Sequence, residues 1–126
     1  MNSNPTTDYA SIDYSIFHTL ENDVADSDPE VMVELIDIFI HDSADRLDGI
    51  DKAIEQADYR KIEISAHSLR SSSATFGALI LSDICFRMEQ SARARQREGI
   101  VEALATIREE FAQVSQLLST ERSKWI

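Results

Sequence analysis

The chain has 126 residues, 43% of them apolar, and carries 23 acidic against 12 basic side chains for a formal net charge of −11. That length fits one domain around a single core, and apolar residues spread along it exclude wholesale disorder. The acidic balance repels phosphate backbones and anionic lipid, so neither nucleic acid nor a membrane is an expected partner.

Only three Gly and two Pro occur, leaving little material for hairpins or barrel corners. Leu, Ile, Ala, Glu, Gln and Arg are compatible with long helices, and the expectation is an all-α protein. Residues 1–10 are polar, include Pro5, and read as a flexible N-terminal leader. A short amphipathic segment follows, with Ile12, Ile16, Phe17 and Leu20 near one helical face. Asp28-Pro29-Glu30 then makes a strong helix start: an Asp cap, Pro at the first helical position and an acid in the first turn. Met32, Leu35, Phe39, Leu47, Ile50 and Ile54 carry that helix to about Ala57. Asp58 caps a third helix built on Ile62, Leu69 and Phe76, and Gly77 is placed to end it in a left-handed conformation. A fourth, from Leu79 to about Arg97, presents Leu81, Ile84, Cys85 and Met88. After Glu98-Gly99 a fifth runs to about Glu121 on Ile100, Leu104, Ile107, Phe111, Val114 and Leu118.

Short connections favour antiparallel neighbours, so the expected architecture is an up-down four-helix bundle with a short additional N-terminal helix. It occupies residues 11–122, with 123–126 as a C-terminal tail. The one cysteine, Cys85, forms no internal disulfide and falls on an apolar face. The N-terminus lacks the basic-then-apolar pattern of a signal peptide, and no apolar run approaches about 20 residues. A soluble, cytoplasmic protein is expected, and Met1 with its polar leader suggests a free-standing one.

Chemistry points to the third helix. On a wheel of about 100° per residue, Ile62, Leu69, Ser73 and Phe76 cluster on one side and His67 falls opposite, flanked by Arg60, Glu63, Ile64, Arg70, Ser71, Ala74 and Ala78. Small side chains one and two turns on leave room for a second protein to reach the imidazole. Arg70, one turn away, is placed to neutralise an oxyanion. On local evidence alone an exposed helical histidine is usually just a surface residue, and His18 and His41 stay at that level.

A longer pattern separates His67 from them. Ala66-His67-Ser68-Leu69-Arg70-Ser71-Ser72-Ser73-Ala74-Thr75-Phe76-Gly77-Ala78, followed by Leu81, Cys85, Met88 and Glu89, resembles the signature of histidine phosphotransfer (HPt) domains. That signature is an Ala-His pair, then Leu, a basic residue, small residues, a glycine between helices, Leu, often Cys, an aliphatic, and an acid or amide. The helical layout over about residues 12–122 is similar to the family's as well. Ser71 stands where the family usually has Gly, Arg70 where Lys is commoner, and Met88 where Leu is usual.

The resemblance implies a phosphoryl carrier rather than an enzyme in its own right. A receiver-domain aspartyl phosphate would phosphorylate His67, which would pass the group to another receiver. Neutral imidazole is available near pH 7, and the transfer needs positioning and charge neutralisation more than covalent machinery. Arg70 would stabilise the phosphoryl oxygens, while Ser72 and Glu89 would orient the imidazole or pack beside it. The chain itself would need no cofactor or metal, because Mg²⁺ and the catalytic acids belong to the receiver. Expected partners are response-regulator receivers and a hybrid sensor histidine kinase, with a monomeric chain. Ser71, Ala74 and Ala78 would form the docking clearing, and Ile12, Ile16 and Leu20 would offer an apolar patch or else cap the core. Arg87, Arg93, Arg95 and Arg97 make the fourth helix locally basic. They would form a rim that steers an acidic receiver pocket, Arg93 foremost, or would answer the helix dipole.

Other readings compete. Glu63 with His67, and Asp37 with His41, have metal-ligand spacing, but a bundle di-metal site needs its ligands projecting into the core. A Cys85-based nucleophile fits poorly with a core position. An autonomous kinase lacks room for a second domain and a nucleotide loop. The serious rival is a non-phosphorylated helical adaptor or inhibitor that docks a receiver or kinase.

Overall fold

The computed structural model describes residues 10–24, 26 and 28–126, so residues 1–9 of the expected leader lie outside the described residues. Five helices follow in order: α1 (Tyr14–Asp23), α2 (Pro29–Glu55), α3 (Tyr59–Thr75), α4 (Leu79–Arg93) and α5 (Arg97–Ser123). The described residues contain no strand.

Three aspartates start helices. Asp13 accepts from Ser15 N at 3.0 Å, Asp28 from Glu30 N at 3.0 Å, and Asp58 from Lys61 N at 3.1 Å. Each satisfies one of the amides that a first turn leaves without a partner. Pro29 follows Asp28 at the start of α2.

One turn geometry is used three times to reverse the chain. Ala57, Gly77 and Arg95 are left-handed, with φ of 53°, 82° and 56°. The amide after each reaches back five residues: Asp58 to Ala53 O at 2.8 Å, Ala78 to Ser73 O at 2.8 Å, and Gln96 to Ser91 O at 2.9 Å. These are Schellman closures. Only Gly77 was readable from sequence; Ala57 and Arg95 adopt the same conformation against the ordinary preference of L-residues. Two expected boundaries move as a result. The second helix stops at Glu55 rather than Ala57, and the fourth stops at Arg93, with Arg97 opening α5.

The core is lined by side chains of all five helices, including Phe17, Met32, Ile36, Leu47, Ile50, Ile62, Leu81, Met88, Ile107 and Leu118. α3 packs most extensively on α4; α4 and α2 each also contact α5, α2 contacts α3, and α1 touches α3. Asp13 N donates to Gly77 O at 2.8 Å, tying the start of α1 to the α3–α4 turn. A helix of 10 residues is marginal alone, and α1 persists by spending its apolar face on the core. Ile12 and Leu20 are buried, so of the two expectations they cap the core rather than offer a patch; Ile16 is half-buried.

The Gly77 turn gives a stability test. A Cβ there would come within 2.5 Å of Asp13 O, backbone that cannot swing aside, at a φ that L-residues avoid. Gly77→Ala is expected to lose roughly 1–3 kcal/mol in urea unfolding. Ala57→Gly, at the equivalent position of an exposed turn, should gain up to about 1 kcal/mol.

Cys85 gives a second. Its thiol is fully buried and desolvation pushes its pKa from 9.0 up to about 12. The folded state therefore keeps the proton while the unfolded chain releases it, so stability is intact below pH 9.0 and declines as pH rises towards 12. Between about pH 9 and 11 the unfolding free energy of the wild type, from urea titrations, should fall more steeply than that of Cys85→Ala, by up to about 1.4 kcal/mol per pH unit.

Candidate functional site

His67 sits in the middle of α3 with its side chain 56% exposed. Ala66 and Leu69 beside it are buried in the core, so the helix is anchored on one face and the imidazole stands on the other. A carboxylate from the neighbouring helix meets it. Glu89 of α4 is only 6% exposed, and its Oε2 lies 3.1 Å from His67 Nδ1.

Two guanidiniums share that carboxylate. Arg93 Nη2 donates to Glu89 Oε2 at 3.3 Å. Arg70 Nε lies 3.2 Å from Glu89 Oε1, an ion pair off the hydrogen-bond axis, so Oε1 accepts no aligned hydrogen bond. The Glu89 side chain lies between two guanidiniums, and a carboxylate only accepts hydrogen bonds. Nδ1 must then carry the ring hydrogen when the imidazole is neutral. Arg70 Nη2 also approaches Nδ1, at 3.2 Å, but a nitrogen donating to Glu89 has no lone pair left for it. Both contacts fall on Nδ1, so Nε2 keeps the in-plane lone pair, outside the ring's hydrogen bonds and ion pairs among the described residues.

Beside Arg70, the surface on the C-terminal side of the imidazole is small or apolar. Ser71 is exposed and Ala74 half-buried, whereas Ala78 is buried, which corrects the expectation that Ala78 belongs to the docking clearing. Ala78 is instead covered beside Gly77 where the chain enters α4. Ile64, Leu79 and Phe86 are exposed large apolar residues. Leu79 and Phe86 border a shallow pocket with Arg70, Ser82 and Asp83, and the Arg70 guanidinium lies 4.9 Å over the Phe86 ring. Leu79 and Phe86 were missed in the sequence. Their signal was an aromatic one residue after Cys85, off the apolar stripe of α4, with a leucine two turns before it.

Several other expectations are corrected. Ser72 does not touch the imidazole: its hydroxyl donates to Ser68 O at 3.0 Å, and it faces a cavity of about 240 Å³ shared with Phe39, Ser43 and Phe76. Five residues along a helix turn a side chain well away from the starting face. The basic rim is largely consumed inside the chain. Arg93 Nε donates to Glu63 Oε2 at 2.9 Å, Arg87 pairs with Asp83, Arg95 lies over Tyr59, and Arg97 donates to Ile54 O at 2.9 Å. The ion partners of His18 and His41 are local carboxylates, Glu21 and Asp45, three and four residues on, and the His18 ring also packs against Tyr14 and Phe17. Among the described residues no three His, Cys, Asp or Glu side chains gather to hold a metal ion, and no helix is long and apolar enough to cross a membrane.

With this geometry in view, the relatives of the chain are informative. A family model described as the Hpt domain matches residues 34–117, and the chain belongs to that family. Histidine-containing phosphotransfer protein 2 of rice is 28% identical over 85 residues, 66% of this chain and 57% of the relative. The chain thus matches little more than half of that protein's length. Pseudo histidine-containing phosphotransfer protein 2 of rice is 26% identical over 106 residues, 82% of this chain and 70% of the relative. Among solved structures, histidine-containing phosphotransfer protein B of Pseudomonas aeruginosa superimposes with a TM-score of 0.83 at 28% identity, covering 97% of this chain and 98% of that one.

The Nδ1–H assignment is open to measurement. At a pH where the imidazole is neutral, nitrogen NMR of the wild type should show His67 mainly as the Nδ1–H tautomer. Glu89→Gln should return it to the Nε2–H form that free imidazole side chains favour, since the amide no longer demands a donor. Equal tautomer populations in the two proteins would refute the role of Glu89.

Proposed function

We propose that this chain is a stoichiometric phosphoryl carrier: His67 takes a phosphoryl group from an aspartyl phosphate on a receiver domain and passes it to another receiver. The observation that carries this reading is the half-exposed imidazole whose Nδ1 meets the buried Glu89 carboxylate at 3.1 Å, an arrangement that leaves Nε2 for the phosphoryl group. In the transfer, the aspartyl O–P bond breaks, Nε2 bonds to phosphorus, and the aspartate leaves as its carboxylate. The ring keeps its Nδ1–H throughout, and Glu89 offsets the positive charge that the ring gains.

Arg70 then serves as the cation for the phosphoryl oxygens, Glu89 as the positioning carboxylate, and Ser71 and Ala74 as the space through which the receiver approaches. Ile64, Leu79 and Phe86 supply apolar contact around it. The ring of contacts among α2, α3, α4 and α5 fits an antiparallel up-down four-helix bundle with α1 closing one end. Mg²⁺ is supplied by the receiver. A cytoplasmic monomer meeting response-regulator receivers and a hybrid sensor histidine kinase completes the reading. A relative whose name carries the word pseudo means that likeness alone does not separate a carrier from an adaptor. The outward nucleophile, with a buried carboxylate on its far nitrogen, favours the carrier.

The test mixes the protein with a receiver domain charged by acetyl phosphate. A phosphorylated species, labile in acid and stable in base, is expected. His67→Gln should abolish it while keeping the helical circular dichroism of the wild type, and label retained by that variant would sink the assignment. Arg70→Ala should fold normally and transfer roughly ten- to a hundredfold more slowly.

A further inference from the structure

We infer that Arg93 is a positioning residue, the standing counter-ion of Glu89 that releases Arg70 to the phosphoryl group on His67. The inference rests on the carrier reading and deepens it.

Glu89 is a buried carboxylate, and such a charge needs a partner at every stage of the reaction. At rest it has two, and they are not equivalent. Arg93 donates to Oε2, the same oxygen that receives Nδ1 of His67, whereas Arg70 faces Oε1 without an aligned hydrogen bond. Arg70 is thus the cation that can leave without breaking an aligned hydrogen bond to Glu89, and its guanidinium already lies within 3.2 Å of the imidazole.

A phosphoryl group on Nε2 would bring negative oxygens beside Arg70. If Arg70 were the sole cation on Glu89, moving towards those oxygens would strip a buried charge, and the two demands would compete. Arg93 removes the competition. It is held to Glu89 from one turn further along α4, and Glu63, four residues before His67 on α3, fixes its other edge at 2.9 Å. The arginine is 63% exposed, so replacing it leaves no cavity in the core. Its engagement with Glu63 and Glu89 also counts against a primary role as a receiver contact.

A small donor separates positioning from docking. Phosphoramidate needs no partner protein: its N–P bond breaks, His67 Nε2 bonds to phosphorus, and ammonia leaves. Labelling followed by phosphorus NMR should be roughly three- to tenfold slower in Arg93→Gln than in wild type. Arg93→Lys, which keeps the charge, should recover most of the rate, and Glu63→Gln should show a smaller loss in the same direction. In an Arg70→Gln background Arg93→Gln should add nothing, because Arg93 acts through Arg70.

Wild-type rates in Arg93→Gln, failure of lysine to rescue, or losses that multiply with those of Arg70→Gln would each overturn the inference. Exchange with a charged receiver, run in parallel, reports on the carrier reading. Wild-type labelling by phosphoramidate with no receiver exchange defeats that reading while the Arg93 comparison still stands. Normal exchange with an indifferent Arg93→Gln defeats only the inference, and a wild type that neither phosphoramidate nor the charged receiver labels at His67 defeats both.

Discussion

The carboxylate of Glu89 is the constraint on which the site depends. A charge buried between two helices of a small domain is tolerated only with partners in place. Here every partner comes from α3 or from α4 itself: His67 and Arg70 from the facing helix, and Arg93 one turn along. The arrangement fixes how α3 and α4 sit against each other, because sliding either by one turn would strand the charge. A further link, from Ser82 Oγ to Arg70 O at 2.9 Å, sets the same register beside it. The imidazole inherits its orientation from that register, and a defined lone pair on Nε2 follows from the charge of Glu89.

Electrostatics at this face differ from what a residue count conveys. The chain as a whole carries −11, and the site gathers several arginines against that background. Arg70 and Arg93 are nevertheless paired with Glu89 and Glu63, and Arg60 also reaches Glu63, at 3.8 Å. The local field is therefore closer to neutral than basic. On the carrier reading, docking at such a surface would draw on apolar contact from the exposed Ile64, Leu79 and Phe86 as much as on charge steering. Serine at position 71 adds a hydroxyl and a Cβ to an exposed spot one turn from the imidazole, a modest narrowing of the approach.

Remote parts of the fold serve the same end. Three left-handed residues, Ala57, Gly77 and Arg95, close the turns between the long helices with one repeated hydrogen-bond pattern. α1 is held at the Gly77 turn by the Asp13 amide. Arg122 of α5 grips Asp37 of α2 with two hydrogen bonds, at 2.7 and 3.1 Å, and holds the Asp37 carboxyl below its ordinary pKa. These contacts join helices far apart in sequence and keep the α3–α4 face from depending on its own charges alone.

Periodicity and capping chemistry determined much of this from sequence alone: helices beginning after Asp28 and Asp58, the break at Gly77, the core positions of α4 and α5, and a histidine on the side of its helix opposite Leu69 and Phe76. Those features depend on the chain's own repeat and on residues within a turn or two, so they are written locally. Tertiary structure alone decided that Arg93 turns inward to Glu63 and Glu89, that Arg97 caps α2, that Ile12 and Leu20 are covered, and that Ser72 points away from the imidazole into a different groove. A helical repeat gives the direction of a side chain about its own axis. It does not give which helix stands opposite or at what height, and those are fixed only when buried side chains and buried charges settle the packing together.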